Sequence, residues 1–316
     1  MTPLRTTLRQ GGAPVWIKRD DETGSDLSGN KVRKLEFLLA EAVESRCDIV
    51  ITCGGIQSNH CRATAVAARR LGLDSVLFLR GSAPSSADGN LLLDLLVDAR
   101  LVFITPEEYA RRAEMMAAEA RRLEGEGRRP YVIPEGGSNA LGAWGYVSML
   151  QELAEQGFGE RIRHLFCATG SAGTLAGLHL GARMLGLPLK PWGVAVCDNE
   201  AYFRGRVLEI VAGFRERFGV SVEVESQDIR VVEGYRGPGY ALTYPRLLEL
   251  VRRMAAGEGL LLDPVYTGKA FHAMTDLLAD GAVPPEDEVC FVHTGGIFSL
   301  FAYRDELFPP GAPPLV

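Results

Sequence analysis

The stretch HLFCATGSAGT, His164–Thr174, carries an apolar segment of strand length straight into a loop with two glycines and then toward a helix of small residues. Strand, glycine loop and helix in succession make the repeating unit of parallel α/β architecture, and the flanking sequence decides whether the unit recurs. Around Gly170 and Gly173 the backbone N–H groups can approach an anion, Ser171 and Thr174 add hydroxyl donors, and the helix N-terminus adds a favourable dipole. The glycine spacing is not G-x-G-x-x-G, and the Gly-Lys-Ser/Thr of a P-loop is missing. A phosphate cradle and a tight turn before a close-packed helix would both use these residues.

Outward from this point the unit does recur. Strand candidates are VWIK at Val15–Lys18, DIVIT at Asp48–Thr52, SVLFL at Ser75–Leu79, LVFIT at Leu101–Thr105, YVI at Tyr131–Ile133, WGVAV at Trp192–Val196, RVV at Arg230–Val232 and VCFVH at Val289–His293. Between them lie segments such as VRKLEFLLAEAVES and TPEEYARRAEMMAAEARRLEGEG, whose apolar residues recur at helical spacing. The pattern predicts an α/β protein. With 316 residues the chain is long enough for two lobes, each an open, mainly parallel twisted sheet with helices on both faces. Glycine-rich junctions recur where strands hand over to helices, in CGGIQSNH, PEGGSN, CATGSAGT and HTGG. Open α/β sheets bind ligands at the carboxyl ends of their strands, so the chemistry is expected there.

Composition excludes several functions. The net charge is −6 with both signs interspersed, and no basic strip laced with aromatics points to nucleic acid. MTPLRTTLRQ lacks the apolar core of a signal peptide, no apolar run approaches bilayer length, and six cysteines without a CxxC read as reduced thiols; the expected location is cytoplasmic, with no membrane partner and no metal. Of 34 basic residues only five are lysine: Lys18, Lys31, Lys34, Lys190 and Lys269. Arginine keeps its proton and lysine can lose it, so each lysine is a candidate for a site that needs an amine. Lys31 stands where the Gly-Asn turn of SGNKVRKLEF enters a helix.

The remaining junctions add polar groups. In CGGIQSNHCRATA, Ser58 or Asn59 reads as a helix N-cap, and Gln57, Ser58, Asn59 and His60 give more hydrogen-bonding side chains than a cap needs. DPVYTGKAF sets Tyr266 and Thr267 ahead of a helix, and HTGG sets Thr294 at the end of the last strong strand. Trp144 and Tyr146 follow PEGGSN at helical spacing and read as core; Glu135 has no assigned role.

Taken together, KRDD (Lys18–Asp21), SGNKVRKLEF, GGIQSNH, PEGGSNALGAWGY, TGSAGT, GPGYAL, DPVYTGK and HTGG resemble the D-cysteine desulfhydrase and 1-aminocyclopropane-1-carboxylate (ACC) deaminase family, whose members are fold type II pyridoxal-phosphate enzymes of the tryptophan-synthase-β kind. The resemblance spans nearly the whole chain. It implies pyridoxal 5'-phosphate as cofactor, a small amino-acid substrate and a homodimer. It further implies a large cofactor-binding domain from residues 1–44 and 151–316, and a small inserted domain at 45–150. Lys31 would carry the cofactor as a Schiff base and act in catalysis. Thr169, Gly170, Ser171, Ala172, Gly173 and Thr174 would hold the phosphate, and Asn59 the pyridine 3′-oxygen. Gln57, Ser58 and Asn59 would meet the substrate, with Ser58, Tyr240 and Tyr266 as catalytic side chains.

Within that family, ACC deaminases have Glu after the DPVY tyrosine and Leu after the histidine of the last loop, where the desulfhydrases have hydroxyl residues. This chain has Thr267 and Thr294, so both are expected at the cofactor. A carboxylate near the pyridine nitrogen would deepen the electron sink that opening a cyclopropane needs, whereas a neutral hydroxyl suffices when a good leaving group sits on Cβ. The expected reaction is β-elimination from D-cysteine or a related amino acid to pyruvate, ammonia and hydrogen sulfide. The alternatives are ACC deamination, D/L-serine or L-cysteine deamination, and a non-catalytic small-molecule binder on the same fold.

Overall fold

A computed structural model describes residues 1–5, 8 and 12–310. In chain order the strands and α-helices are β1 (Thr2–Pro3), β2 (Val15–Arg19), α1 (Asn30–Glu44), β3 (Ile49–Gly55), α2 (Asn59–Arg70), β4 (Asp74–Arg80), α3 (Gly89–Leu96), β5 (Arg100–Ile104), α4 (Pro106–Ala110), α5 (Arg112–Gly125), β6 (Pro130–Val132) and α6 (Ala140–Glu155). The second half continues with β7 (Ile162–Thr169), α7 (Gly173–Met184), β8 (Lys190–Ala195), α8 (Glu200–Phe218), β9 (Arg230–Val232), α9 (Pro245–Glu258), α10 (Thr267–Ala279), β10 (Glu288–His293), α11 (Ile297–Ala302) and α12 (Arg304–Leu307).

Two sheets result. The larger has the order β1-β2-β10-β7-β8-β9 and the smaller β5-β4-β3-β6. Every pairing is parallel except β1 with β2, so the α/β expectation holds, with helices supplying the crossovers. Each strand read from the sequence is present within a few residues. β1 was not anticipated: two residues flanked by no apolar run carry no periodicity to read. The segment expected as one helix after LVFIT divides at Arg111, whose backbone (φ −102°, ψ 21°) leaves the α region. Thr105 caps α4 in a capping box with Glu108, so the first piece has its own start signal.

The smaller sheet uses residues between 49 and 132. The division expected between residues 150 and 151 falls inside α6, whose Ala143, Tyr146, Val147 and Leu150 join the core with Leu165, Leu175 and Leu178 under the larger sheet. Helix α1 crosses α6 so closely that a Cβ on Gly145 would lie 2.4 Å from the carbonyl oxygen of Arg33. No helix among the described residues is long and apolar enough to cross a membrane.

A buried carboxylate locks this crossing. Asp20 is fully buried and accepts from Arg33 Nε and Nη2, each at 2.8 Å, and from the Tyr146 hydroxyl at 2.8 Å. Lys18 Nζ lies 3.3 Å from Asp20 and 2.8 Å from Glu152, which also pairs with Arg33 at 2.9 Å. KRDD, Arg33 and Tyr146 thus form one satisfied network joining β2, α1 and α6. Trp144 packs on Phe214 and Phe218, so both aromatics after PEGGSN are structural. Asp20→Ala removes the buried partner of Lys18, Arg33 and the Tyr146 hydroxyl, leaves Glu152 to hold both cations, and should cost about 3 kcal/mol, read as a shift of the denaturant midpoint at constant slope.

Candidate active site

Lys31 is the second residue of α1, and its position follows from a close backbone crossing. Gly29 has φ 102°, and a Cβ there would stand 2.6 Å from the Thr294 carbonyl oxygen. Gly295, at φ 90°, would place its own Cβ 2.8 Å from the Gly29 Cα, so neither position admits a side chain. The Asn30 N–H then donates to the Thr294 carbonyl (3.2 Å), and its side-chain amide donates to Thr174 Oγ1 (3.0 Å). SGN, HTGG and TGSAGT meet at this junction.

One cavity gathers Lys31, Ser58, Asn59, Thr169, Gly170, Ser171, Ala172, Thr174, Tyr240, Tyr266 and Thr294 from the expected set. Its floor is the loop from β7 to α7. Ala172 takes the left-handed conformation (φ 66°) as α7 begins, and the Thr169 hydroxyl is buried without a partner. Ser171 Oγ lies 2.9 Å from Ser138 Oγ, which accepts the Gly173 N–H at 3.2 Å. Gly173 therefore supports the loop from behind, while its neighbours face the cavity. A Cβ on Gly136 would collide with Ser171 Oγ at 2.2 Å and stand 3.3 Å from Lys31 Nζ, which explains the glycine in PEGGSN.

The amine of Lys31 lies deep in protein. Burial pushes it down from the ordinary 10.5 to about 8, against a pull upward from Glu135 and Cys61. Lys34, one turn on, is fully enclosed and donates to the Gly136 carbonyl (3.2 Å) and Ser138 Oγ (3.4 Å). It forms no ion pair with any described residue. Burial, then the neighbouring Lys31, holds its amine well below the usual lysine range. Two enclosed amines beside a glycine loop at a helix N-terminus, with an orphaned hydroxyl, fit an anionic phosphate, which would favour their charged forms.

On the other wall, Ser58 caps α2 by accepting the Cys61 N–H at 3.2 Å, and the Asn59 side-chain oxygen accepts from Asn90 at 3.0 Å. The Tyr240 and Tyr266 hydroxyls are 2.5 Å apart, and burial raises both phenols above their ordinary values. Besides Gly173, two expected residues do not line the cavity. Gln57 donates to the Asp88 carbonyl and accepts from the Asn90 N–H, so it fastens a neighbouring loop. Thr267 is buried with its hydroxyl donated to Asp263 (2.7 Å), whose carboxylate also accepts the N–H groups of Val265, Tyr266 and Thr267. That turn orients Tyr266 and leaves Thr267 facing away.

Several lining residues escaped the sequence reading: Asn30, Arg80, Tyr109 and Arg112, whereas His60, flagged with its neighbours, does line the cavity. Glu135, noted but unassigned, accepts the Tyr109 hydroxyl (2.7 Å) and pairs with Arg112 (2.9 Å). Arg80 ends β4, so its strand-end position was the available signal.

The chain and its fold match known proteins over nearly their whole length. The family described as pyridoxal-phosphate dependent enzyme matches residues 1–295. A putative 1-aminocyclopropane-1-carboxylate deaminase of Thermotoga maritima is 45% identical, over 96% of this chain and 95% of its own. A bifunctional D-cysteine desulfhydrase/1-aminocyclopropane-1-carboxylate deaminase, mitochondrial, of Arabidopsis thaliana is 42% identical over 94% of this chain and 75% of its own. A D-cysteine desulfhydrase of Klebsiella pneumoniae is 40% identical, over 97% of this chain and 94% of its own. Among solved structures, an ACC deaminase homologue superposes with a TM-score of 0.88 at 38% identity, covering 97% of this chain and 91% of that one.

The depressed Lys31 sets a pH dependence. Below about 8 the amine is mostly protonated and unreactive toward an aldehyde, and above it the free amine dominates. The rate at which cofactor-free protein condenses with pyridoxal phosphate, followed by its visible band, should rise through a midpoint near 8 and not near 10.5. With a cavity built around an enclosed lysine and a glycine loop, and with relatives matched over nearly its whole length, this chain belongs to the pyridoxal-phosphate dependent enzyme family.

Proposed function

We propose that the chain is a pyridoxal-phosphate-dependent lyase that removes the β-substituent of D-cysteine or a related β-substituted amino acid. The observation that carries the choice of substrate is that, among the described residues, no free carboxylate lies on the Tyr266–Thr294 side of the cavity. Position 267 is a threonine committed to Asp263, and position 294 is a threonine that lines the cavity. The acids that do line it are Glu135, tied to Tyr109 and Arg112, and Asp198, on the exposed rim. A site without a carboxylate at the cofactor ring suits elimination of a good leaving group better than opening of a cyclopropane.

Lys31 would hold the cofactor, with Thr169–Thr174 around its phosphate. The bound cofactor supplies the electron sink for the pair released at Cα. Lys31 Nζ, with a pKa near 8, is basic enough to take the Cα proton yet uncharged in a useful fraction of molecules at neutral pH. The helix α2 N-terminus, with Ser58 and Asn59, offers donors for the substrate carboxylate. The Tyr240–Tyr266 pair keeps its protons at neutral pH because burial raises both phenols, so a hydroxyl can donate a hydrogen bond to the departing sulfur while the other hydroxyl orients it. The aminoacrylate released adds water to give pyruvate and ammonia.

ACC deamination stays as a second reading because relatives at 45% and 42% identity carry that name. Loaded enzyme offered D-cysteine, L-cysteine and ACC in parallel should release sulfide and pyruvate from D-cysteine and no 2-oxobutyrate from ACC; efficient ACC turnover would overturn the preference. Lys31→Ala should lose the visible band and at least about 10³-fold in turnover.

A further inference from the structure

Most interior guanidinium groups here are satisfied. Arg33 holds Asp20, Arg62 reaches Asn90 and the carbonyls of Asp26, Leu27 and Ser28, and Arg112 pairs with Glu135. Arg80 differs. It lines the cavity with its guanidinium between two rings, 4.9 Å from the Tyr109 centroid and 4.7 Å from that of Tyr240. No acidic or carbonyl partner is recorded for it among the described residues. Both contacts are of the cation with a ring face, and neither uses the guanidinium's five N–H donors, which remain to bind an anion.

The location of that fork matters. Arg80 pairs in register with Gly55 at the carboxyl ends of β4 and β3, and a Cβ on Gly55 would touch Tyr240 at 3.2 Å. Arg80 therefore shares a wall with the Tyr240–Tyr266 hydroxyl pair. The phosphate loop has Lys31 and Lys34 beside it, and the α2 N-terminus has Ser58 and Asn59. The cation, with no acidic partner among the described residues, thus stands beside the tyrosine pair proposed above to meet the departing β-substituent. Glu135 does not neutralise it, because both carboxylate oxygens are engaged by Tyr109 and Arg112.

Building on the elimination proposed above, we infer that Arg80 is a specificity residue that selects amino acids whose β-substituent is already an oxyanion, such as a phosphate or sulfate ester of D-serine. For the phosphate ester the Cα proton passes to Lys31 Nζ. The Cβ–O bond breaks with its electron pair leaving on phosphate, and the aminoacrylate takes up water to give pyruvate and ammonia. No oxidant or reductant is needed.

The test compares O-phospho-D-serine with β-chloro-D-alanine, whose substituent is neutral while attached, on loaded wild-type enzyme, Arg80→Gln and Arg80→Lys. Wild type should release phosphate and pyruvate from the ester. The ratio of kcat/KM for ester over chloride should fall roughly 30-fold in Arg80→Gln, mainly through KM, and less in Arg80→Lys, which keeps the charge without the fork. Added salt should raise KM for the ester more than for the chloride. The cofactor's visible band, recorded for every variant, reports an intact site. An unchanged ratio in Arg80→Gln would reduce the residue to ring packing and overturn the inference. So would a wild type that turns over chloride and never the ester, leaving the elimination standing. Silence on both substrates would overturn the elimination as well.

Discussion

Everything at the site hangs on the place where Ser28–Gly29–Asn30 passes against Thr294–Gly295. Two chain segments from opposite ends of the sequence approach until backbone touches backbone, with glycines at φ 102° and 90° where any side chain would collide. Asn30 then uses both its main chain and its side chain, the first on Thr294 and the second on Thr174. Helix α1 consequently starts at a fixed point, so Lys31 reaches the glycine loop from a rigid element. Holding a reactive amine within fractions of an ångström requires this kind of support.

Polar groups fall into two populations. Around Asp20 every charge has a partner: Arg33 in fork geometry, the Tyr146 hydroxyl, and Lys18 shared with Glu152. That network holds β2, α1 and α6 together and gains from being closed. Around the cavity the groups are left partly unmet: the Thr169 hydroxyl without a partner, Lys31 and Lys34 without carboxylates, and Arg80 held only by ring faces. Burying such groups costs stability, and the cost is recovered when an anionic ligand arrives.

Helix termini and turns supply the remaining geometry. Ser58 caps α2 and leaves Asn59 at the cavity edge, while the four donors gathered by Asp263 form the turn that aims Tyr266. Positions 267 and 294, which look equivalent as threonines after strand ends, have different roles here. One is spent on a turn and the other faces the cavity.

Much of this was legible in the sequence. Apolar runs ending in glycine loops announced the parallel sheets, since a strand buried on both faces and a tight strand-to-helix turn each leave a compositional mark. Lys31 and TGSAGT, each ambiguous alone, stood out once eight ordered motifs were taken together and their resemblance gave both a role. Three-dimensional contacts decided the rest. Whether the hydroxyl of Thr267 turns toward a ligand or toward Asp263, and whether Gln57 meets substrate or a neighbouring loop, depends on partners distant in the fold. Arg80, Tyr109 and Arg112 belong to no glycine motif; Tyr109 and Arg112 meet Glu135 only because β5 and β6 end on the same side of the smaller sheet, and Arg80 meets Tyr240 only across the cavity. Local sequence therefore determined the elements and the amine, because periodicity and turn chemistry act over a few residues. The tertiary structure alone decided which polar groups stay unpaired, because pairing is settled between segments that the chain brings together only on folding.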